Sequence, residues 1–235
     1  MRALKFNLSG KTAFFKIPEV NSYCYYTYSC IHKVALLGIL GAIMGYGGYS
    51  QQKGNDYPEF YEKLSDLKIA ILPEKIQTKK KIQTFNNSVG YASQEMGGNL
   101  IVRQQWLEDP SWTIYVLIDS DVTKQIAEQI CSNQCVYIPY LGSNDHPASI
   151  SNPCMVEIEE ANEYEHIDSL YKAQLEKEQE QVSYDLWNQY LEALPIGLSK
   201  ETNMYLLEYM KLTDQTGIKY QEKVYQEDQK TFVFI

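Results

Sequence analysis

Apolar and polar residues alternate across residues 4–8, with the two-residue period of a half-buried strand. The turn sequence of residues 9–11 ends that strand. Residues 32–46 then form an apolar segment of helix length, with Ser29 available as the N-cap and a glycine pair at 47–48 as the stop. The pattern therefore predicts a strand followed by a helix.

Small residues follow one side of this predicted helix. Ala35, Gly38, Ala42 and Gly45 recur at spacings of three and four residues, so they share a helix face. A stripe of small side chains lets a helix approach a neighbouring element closely. We therefore expect this face to pack directly against a sheet.

Further strands and a second helix follow along the chain. The pattern predicts a strand at 67–72 ended by Pro73, a polar lysine-bearing hairpin at 74–87, strands at 99–107 and 112–118, a helix at 121–130 and a strand at 136–141. The order strand, helix, strand, strand, helix, strand is that of a ferredoxin-like sandwich, which RNA-recognition modules also use. The sequence therefore predicts an α+β fold with a modified ferredoxin-like (RRM-like) domain.

The composition changes beyond residue 155, where the chain becomes acidic and rich in glutamine. Within residues 167–194 the apolar positions share a helix face, and they are Val182, Leu186, Trp187, Tyr190 and Leu194. We expect residues 1–155 to form the ferredoxin-like domain and residues 156–235 an acidic, helical C-terminal elaboration. The closing residues 231–235 are β-prone and are expected to pair at a sheet edge.

The charge is distributed unevenly along the 235 residues, whose formal net charge is −9. Residues 1–106 hold 13 Lys+Arg against 7 Asp+Glu, whereas residues 107–235 hold 8 against 23. The overall charge argues against a free-standing nucleic-acid binder, because phosphate neutralisation needs clustered cations. A basic half that meets RNA and an acidic half that meets protein or solvent is one interpretation; an uneven scatter of surface charge is the other.

Apolar segments and cysteines bear on where the protein is located. The longest apolar run, residues 34–48, is shorter than the roughly 20 residues that cross a bilayer, and the first residues lack the apolar stretch of a signal peptide. We therefore expect a cytoplasmic protein with no membrane contact. The five cysteines contain no Cys-x-x-Cys pair, which favours reduced thiols.

Two features of the sequence, a set of cysteines with a histidine and a glycine-rich run, are candidate cofactor sites. Cys131, Cys135, His146 and Cys154 could supply four zinc ligands, but their spacing matches no common finger, so buried or idle cysteines are favoured and no cofactor is expected. The glycine-rich run 38–48 lacks the Gly-Lys-Ser/Thr ending of a phosphate loop.

Four stretches together resemble the Cas-five family of the RAMP superfamily, in the form found in type I-B CRISPR complexes. They are residues 8–15 (LSGKTAFF), 35–45 (ALLGILGAIMG), 105–110 (QWLEDP) and 140–142 (YLG). The resemblance rests on the order and spacing of these stretches over about the first 150 residues.

The resemblance implies a fold and a role in antiviral defence. It implies a thumb hairpin near residues 74–100 and a non-catalytic subunit of the surveillance complex Cascade, which caps the complex and clamps the 5′ handle of the crRNA. It implies contacts with the repeated backbone subunit and the large subunit, and with target DNA through the complex.

Candidate RNA-binding residues begin in the turn after the first strand. Lys11 and Lys16 can donate to phosphate oxygens, and Phe14 and Phe15 offer flat faces on which unpaired bases could stack. Neighbours on a strand face opposite sides, so at least one of the two phenylalanines is open to a core role instead.

Three further groups of residues carry the same expectation. His32 and Lys33 open the first predicted helix, where backbone amides attract phosphate, although an ordinary solvated first turn is an equal alternative. Lys79, Lys80 and Lys81 lie in the predicted hairpin, which can extend them towards RNA or simply expose them in a solvated loop. Lesser candidates follow, and they are Gly97, Gly98, Arg103, Gln104 and Gln105.

The alternative function is a metal-independent endoribonuclease that processes CRISPR repeat RNA, as one branch of the family does with a tyrosine, a lysine and a histidine. The chain has three histidines, and no lysine-histidine pair lies mid-chain where that branch carries one. His32 and Lys33, with Tyr25, Tyr26 or Tyr46 nearby, form the one local set that could imitate it. We therefore expect no enzyme activity and assign no catalytic residue.

Overall fold

The computed structural model describes residues 1–19, 23–88, 90, 94, 96, 99–177 and 186–235. Three α-helices lie in these ranges: α1 (Lys33–Met44), α2 (Glu59–Leu64) and α3 (Asp121–Cys131). The strands are β1 (Arg2–Ser9), β2 (Thr12–Ala13), β3 (Ile69–Pro73), β4 (Lys80–Asn86), β5 (Ile101–Glu108), β6 (Ser111–Leu117), β7 (Ser149–Glu157), β8 (Glu159–Glu160), β9 (Tyr171–Lys172), β10 (Gln189–Leu198), β11 (Tyr205–Thr213), β12 (Tyr225–Glu227) and β13 (Lys230–Phe232). The longest described helix, α1, has 12 residues, too few to cross a membrane.

The central sheet has four antiparallel strands in the order β3-β6-β1-β7. The chain passes from β1 through α1 and α2 to β3, and from β6 through α3 to β7. Each pair of strands joined in this way therefore has one other strand between its members. Two such split β-α-β units make a ferredoxin-like fold, so the predicted α+β class is confirmed.

The helices cover one face of this sheet. Leu4, Phe6 and Leu8 alternate along β1 and are fully buried in the main core together with the apolar side of α1. α3 adds Ile126 and Ile130, and its N-cap Ser120 accepts a hydrogen bond from the Thr123 N–H. The half-buried strand that the alternation predicts is thus confirmed.

The other face of the sheet is covered by the end of the chain. The Phe232 ring stacks on the Tyr115 ring at 4.2 Å between centroids, and Lys5 donates to Glu227 across the same layer at 2.6 Å. Ile235 exchanges backbone hydrogen bonds with Ile69 at the edge of the sheet. The predicted edge pairing of residues 231–235 is confirmed, and the face on which an RNA-recognition module binds RNA is closed here.

A hairpin stands apart from the central sheet. β4 pairs with β5 over seven residues, from Lys80 opposite Leu107 to Asn86 opposite Ile101, and β2 pairs with β5 on its other side. The strands lie between β3 and β6 in sequence, which is where the predicted hairpin falls. The protruding hairpin is therefore confirmed, but it is not formed by residues 74–87 alone: its second strand is the one predicted separately at 99–107.

The predicted C-terminal helix is wrong over the described parts of its range, residues 167–177 and 186–194. Residues 189–198 form β10, which pairs with β11, and β9 completes a three-stranded sheet. Tyr190 and Leu194 are four residues apart, an even spacing that keeps them on one side of a strand as well as near one side of a helix. Leu194 and Leu198 pack into the same core as α1, and Val182 lies outside the described residues.

The predicted strand at 136–141 is also wrong, and the fourth strand of the sheet is β7. The Val136 and Tyr137 N–H groups donate to the carbonyls of Ile43 and Ala42, so this segment caps the end of α1 instead. In β7 a bulge at Asn152, with φ +52°, precedes Pro153 and hides the strand from sequence patterns. The strand runs two residues past the predicted domain boundary at 155.

The boundaries and packing of α1 differ from prediction in three respects. The N-cap is His32, not Ser29, whose N–H and hydroxyl bind Glu192. The helix ends at Gly45, with φ +78°, before the predicted glycine pair. The glycine of α1 that lies close to a neighbouring element is Gly41, where an added Cβ would lie 2.5 Å from Phe60 Cβ of α2. At Gly38, which belongs to the predicted stripe of small residues, an added Cβ would meet nothing within 4 Å.

Gly142 fixes the loop that packs against β2. Leu141 is fully buried and accepts a hydrogen bond from the Phe14 N–H, and Gly142 has φ +91°. An added Cβ there would lie 1.9 Å from the Phe14 carbonyl oxygen. Only glycine therefore fits this position.

We predict that Gly142→Ala destabilises the fold far more than Gly54→Ala does. Gly54 also has a positive φ, +71°, but an added Cβ there would meet nothing within 4 Å, so its substitution is expected to cost only the conformational penalty of about 1 to 2 kcal/mol. Gly142→Ala adds the steric clash and is expected to cost at least about 2 kcal/mol more. Urea unfolding measures both, and equal losses would contradict the packing described here.

We predict that His32 makes stability depend on pH. Burial lowers its folded-state pKa to about 3, below the value of about 6.5 in an unfolded chain. Between these values the unfolded chain binds a proton that the folded chain does not, so this contribution to stability is complete above about pH 6.5 and falls with decreasing pH. His32→Asn keeps a capping oxygen and does not titrate.

The free energy of unfolding should therefore fall less in His32→Asn than in the unsubstituted chain between about pH 6.5 and pH 5. Urea unfolding at the two pH values gives the comparison. Identical losses in the two proteins would show that His32 is accessible to protons in the folded state.

Candidate nucleic-acid interface

The β4–β5 hairpin has two faces with different chemistry. Residues paired across an antiparallel ladder point to the same side, so one face carries Lys81, Gln83 and Phe85 opposite Trp106, Gln104 and Val102. The opposite face carries Lys80, Ile82 and Thr84 opposite Leu107, Gln105 and Arg103. We call the first the aromatic face because of Phe85 and Trp106.

The rings of the aromatic face continue into the body of the protein. Phe85 lies 6.3 Å from Trp106 between centroids, and Trp106 lies 4.7 Å from His146 at an interplanar angle of 85°. Lys81 Nζ lies 5.8 Å from the Trp106 ring and 3.5 Å from a Glu108 oxygen. Phe85 and Trp106 are half-buried, so each keeps part of its surface open to solvent.

Sequence reasoning missed both rings. Their signal is the alternation in the hairpin, which places Phe85 on the same face as Lys81, with Trp106 opposite. That alternation identifies a face only once the register of the two strands is known. Gln104, a predicted site residue, lies on this face and accepts a hydrogen bond from the Trp106 indole N–H at 2.8 Å.

Backbone pairing brings predicted cations of two distant segments to the hairpin. The Tyr25 N–H donates to the Arg103 carbonyl at 2.9 Å, and Lys16 Nζ lies 4.3 Å from the Tyr25 ring centroid. Lys79 is exposed, and its carbonyl accepts from the Glu108 N–H. Arg103 is exposed on β5. Predicted cations from before α1 and from the hairpin therefore share one region.

Some of these cations already have partners within the chain. Lys11 donates to Asp109 at 2.8 Å, and this hydrogen bond raises the pKa of Lys11 and lowers that of Asp109. Lys80 Nζ donates to the Thr27 carbonyl at 3.4 Å, and burial lowers its pKa. Lys11 is largely exposed, so Asp109 can be exchanged for a phosphate oxygen at little cost.

The stacking role predicted for Phe14 and Phe15 is wrong. Their exposed fractions are 6% and 2%, so neither ring offers a free face. The Phe15 ring lies 6.0 Å from both His32 and Trp112, inside the main core. β2 is only two residues long and ends before this pair, so the alternation of sides that a strand imposes does not reach them.

His32 is also unsuited to binding phosphate. It is 3% exposed, its Nδ1 accepts from the Ala35 N–H at 3.2 Å, and its ring packs between Tyr28 and Tyr205. Lys33 is half-buried, and burial together with the nearby Lys172 lowers its pKa. The predicted phosphate site at this helix start is therefore wrong for His32. Gly97 and Gly98 lie outside the described residues.

The cysteine set does not come together. His146 is 1% exposed and its Nδ1 lies 2.6 Å from the Thr12 hydroxyl, whereas Cys131, Cys135 and Cys154 are exposed. Across the described ranges no three His, Cys, Asp or Glu side chains form a group suited to a metal ion.

Comparison of sequences identifies no relative. No protein-family model matches the chain, and no curated protein matches it.

Comparison of folds with solved structures does find similar chains. One, described as a CRISPR RNA-guided surveillance complex, has a TM-score of 0.55 and 11% identity over 91% of this chain and 90% of that chain. A CRISPR protein from Archaeoglobus fulgidus has a TM-score of 0.49 and 11% identity over 100% and 98%. A chain of a type III-B Cmr-beta complex bound to cognate target RNA and AMPPnP has a TM-score of 0.47 and 12% identity over 94% and 86%.

Only the first of these similarities has a TM-score above 0.5, and at 11% identity it concerns the fold alone. The protein therefore shares its α+β, ferredoxin-like architecture with a chain of a CRISPR RNA-guided surveillance complex.

Proposed function

We propose that this protein is a non-catalytic subunit of a type I CRISPR surveillance complex, of the type I-B Cascade form, that binds and caps the 5′ handle of the crRNA. Its partners are the crRNA, the repeated backbone subunit and the large subunit, and it meets target DNA only through the complex. The observation that carries the proposal is the basic hairpin with an aromatic face, attached to a ferredoxin-like sheet whose other face is closed.

The hairpin has the composition of a surface for single-stranded RNA. From residue 75 to residue 107 the sequence holds five Lys+Arg against one Asp+Glu, in a chain whose net charge is −9. Cations track a phosphate backbone, and half-buried rings such as Phe85 and Trp106 accept unpaired bases with little regard to sequence. Lys81 on the same face supplies a charge beside the rings.

The second half of the chain has an exposed apolar surface, which supports a subunit that works within an assembly. β10 and β11 present Leu191, Leu207 and Tyr209 on one side, and all three are exposed. Several large apolar side chains on one side of a sheet are typical of a protein–protein contact. Protein partners that cover this side would leave the basic hairpin as the main open surface for RNA.

The histidines give no support to the ribonuclease alternative. Burial lowers the pKa of His32 to about 3 and also lowers that of His146, and both side chains are closed to solvent. A general acid or base must exchange protons near neutral pH and reach its substrate. The third histidine, His166, is partly exposed and lies 3.4 Å from Asp168.

We predict that Lys79→Gln combined with Arg103→Gln weakens binding of single-stranded RNA and reduces its salt dependence. Each phosphate contact on a single strand contributes about 0.7 to the slope of log K against log salt, so the double variant should lose about 1.4. Fluorescence anisotropy with a labelled RNA that carries the repeat-derived 5′ handle gives the slope at several salt concentrations.

The matched control is Lys124→Gln combined with Lys223→Gln. These exposed lysines pair with Asp121 and Glu160, away from the hairpin. This control removes the same total charge and should leave the slope unchanged. An equal loss in both double variants would mean that the hairpin cations act only through the overall field.

We predict that the chain assembles with its partners when it is co-expressed with the backbone subunit, the large subunit and a repeat-spacer transcript. Purification through a tag on the backbone subunit should recover this chain and the crRNA in one particle. A complete particle that forms without this chain would contradict the proposed function.

A further inference from the structure

A groove of about 710 Å³ runs along α1 on the side that carries the small residues. Its floor includes Ala35, Gly38 and Ala42, and an added Cβ at Gly38 would meet nothing within 4 Å. The groove therefore reaches down to the helix backbone. Its volume lies in the range of about 300 to 1,000 Å³ that small-molecule pockets occupy, which leaves room for a nucleotide.

The walls of the groove are rich in tyrosine. Tyr49, Tyr137 and Tyr140 line it and are each about half exposed, and Tyr46 and Tyr205 complete the set. Packing holds two of these rings, since Tyr49 lies edge-on to Phe60 at 5.8 Å and Tyr205 edge-on to His32 at 5.3 Å. Held rings with hydroxyl groups provide both flat faces and hydrogen-bonding edges.

The charge of the groove contrasts with that of the chain. Among the described residues that line it, none is Asp or Glu, and Lys16 is the one with a formal charge at neutral pH, since His32 is buried with a pKa of about 3. Lys16 Nζ lies over the Tyr25 ring, and Tyr25 pairs with β5 of the hairpin. The single cation of the groove therefore lies where the groove meets the hairpin.

We propose that this groove binds unpaired bases of the RNA strand whose backbone the hairpin holds. The inference rests on the proposed function and adds the ligand class of a second surface, namely the bases of single-stranded RNA. Tyrosine faces stack on bases, the bare helix at Gly38 admits a flat ring, and Lys16 with no carboxylate on the walls suits an adjoining phosphate. Val34, Ile39 and Ile138 supply an apolar part of the lining that the flat faces of bases also fit, and the tyrosine hydroxyl groups and Lys16 supply the polar partners that base edges and a phosphate require.

The test places a larger side chain at Gly38, on the floor of the groove. Gly38→Leu projects a side chain into open space and replaces glycine in a helix with a better helix former, so the fold should be retained. Gly38→Ala is the matched control, because one methyl group leaves most of the groove open. The probes are a fluorescein-labelled oligoadenylate of about eight nucleotides and its abasic analogue, each titrated with the full chain.

Gly38→Leu should weaken binding of the oligoadenylate by about fivefold or more, the loss expected for one displaced base. Gly38→Ala should change it by less than about twofold. The abasic analogue should bind all three proteins equally, because it offers phosphates without bases. Equal binding of oligoadenylate to Gly38→Leu and to the unsubstituted chain would overturn the inference.

Two further outcomes separate this inference from the proposed function. If Lys79→Gln combined with Arg103→Gln weakens oligoadenylate binding while Gly38→Leu does not, the hairpin role stands and the groove role fails. If Gly38→Leu binds RNA normally but is lost from the co-expressed particle, the groove holds a protein segment and the inference is overturned. A chain that binds no oligoadenylate would overturn the groove inference, whereas the proposed function is decided by the co-expressed particle.

Discussion

The stacking of Phe232 on Tyr115 determines which surfaces of this fold are left for a ligand. The two ring centroids lie 4.2 Å apart, and Lys5 binds Glu227 in the same layer. These contacts close the face of the ferredoxin-like sheet that the helices leave open. RNA-recognition modules bind RNA on that face through exposed aromatic residues. Here the equivalent surface is core, because Tyr115 and Phe232 are fully buried.

Because this face of the sheet is closed, the candidate RNA contacts lie on the hairpin and around it. β5 is central to this arrangement, because it pairs with β4 on one side and with β2 and Tyr25 on the other. Lys16 and Lys79 therefore reach one region from segments more than 60 residues apart in sequence. The groove along α1 meets the same region at Lys16, so a single strand could contact both surfaces.

The local patterns predicted much of the fold. The alternation in β1, the alternation in the hairpin and the helix predicted at 121–130 are each decided by neighbours in sequence, and the structure agrees with them. Errors arose where a pattern is ambiguous. The even spacing of Tyr190 and Leu194 fits a strand and a helix, and the bulge at Asn152 interrupts the alternation of β7.

The candidate site was less predictable, because its geometry depends on long-range pairing. The lysines were found from composition, but the aromatic face needs the register that puts Phe85 and Trp106 together, and the pairing of Trp106 with His146 spans 40 residues. The burial of Phe14 and Phe15 depends on the Leu141 carbonyl and the Thr27 hydroxyl, which accept from their N–H groups. No pattern within residues 8–15 contains that information.

Photo-crosslinking in the assembled particle shows which residues of this chain contact the 5′ handle. A crRNA that carries 4-thiouridine in its 5′ handle is irradiated in the particle, and the crosslinked peptides of this chain are identified by mass spectrometry. We expect crosslinks to residues of β4 and β5, Phe85 and Trp106 above all. Crosslinks confined to β12, β13 or the C-terminal residues that cover the central sheet would contradict the proposed interface.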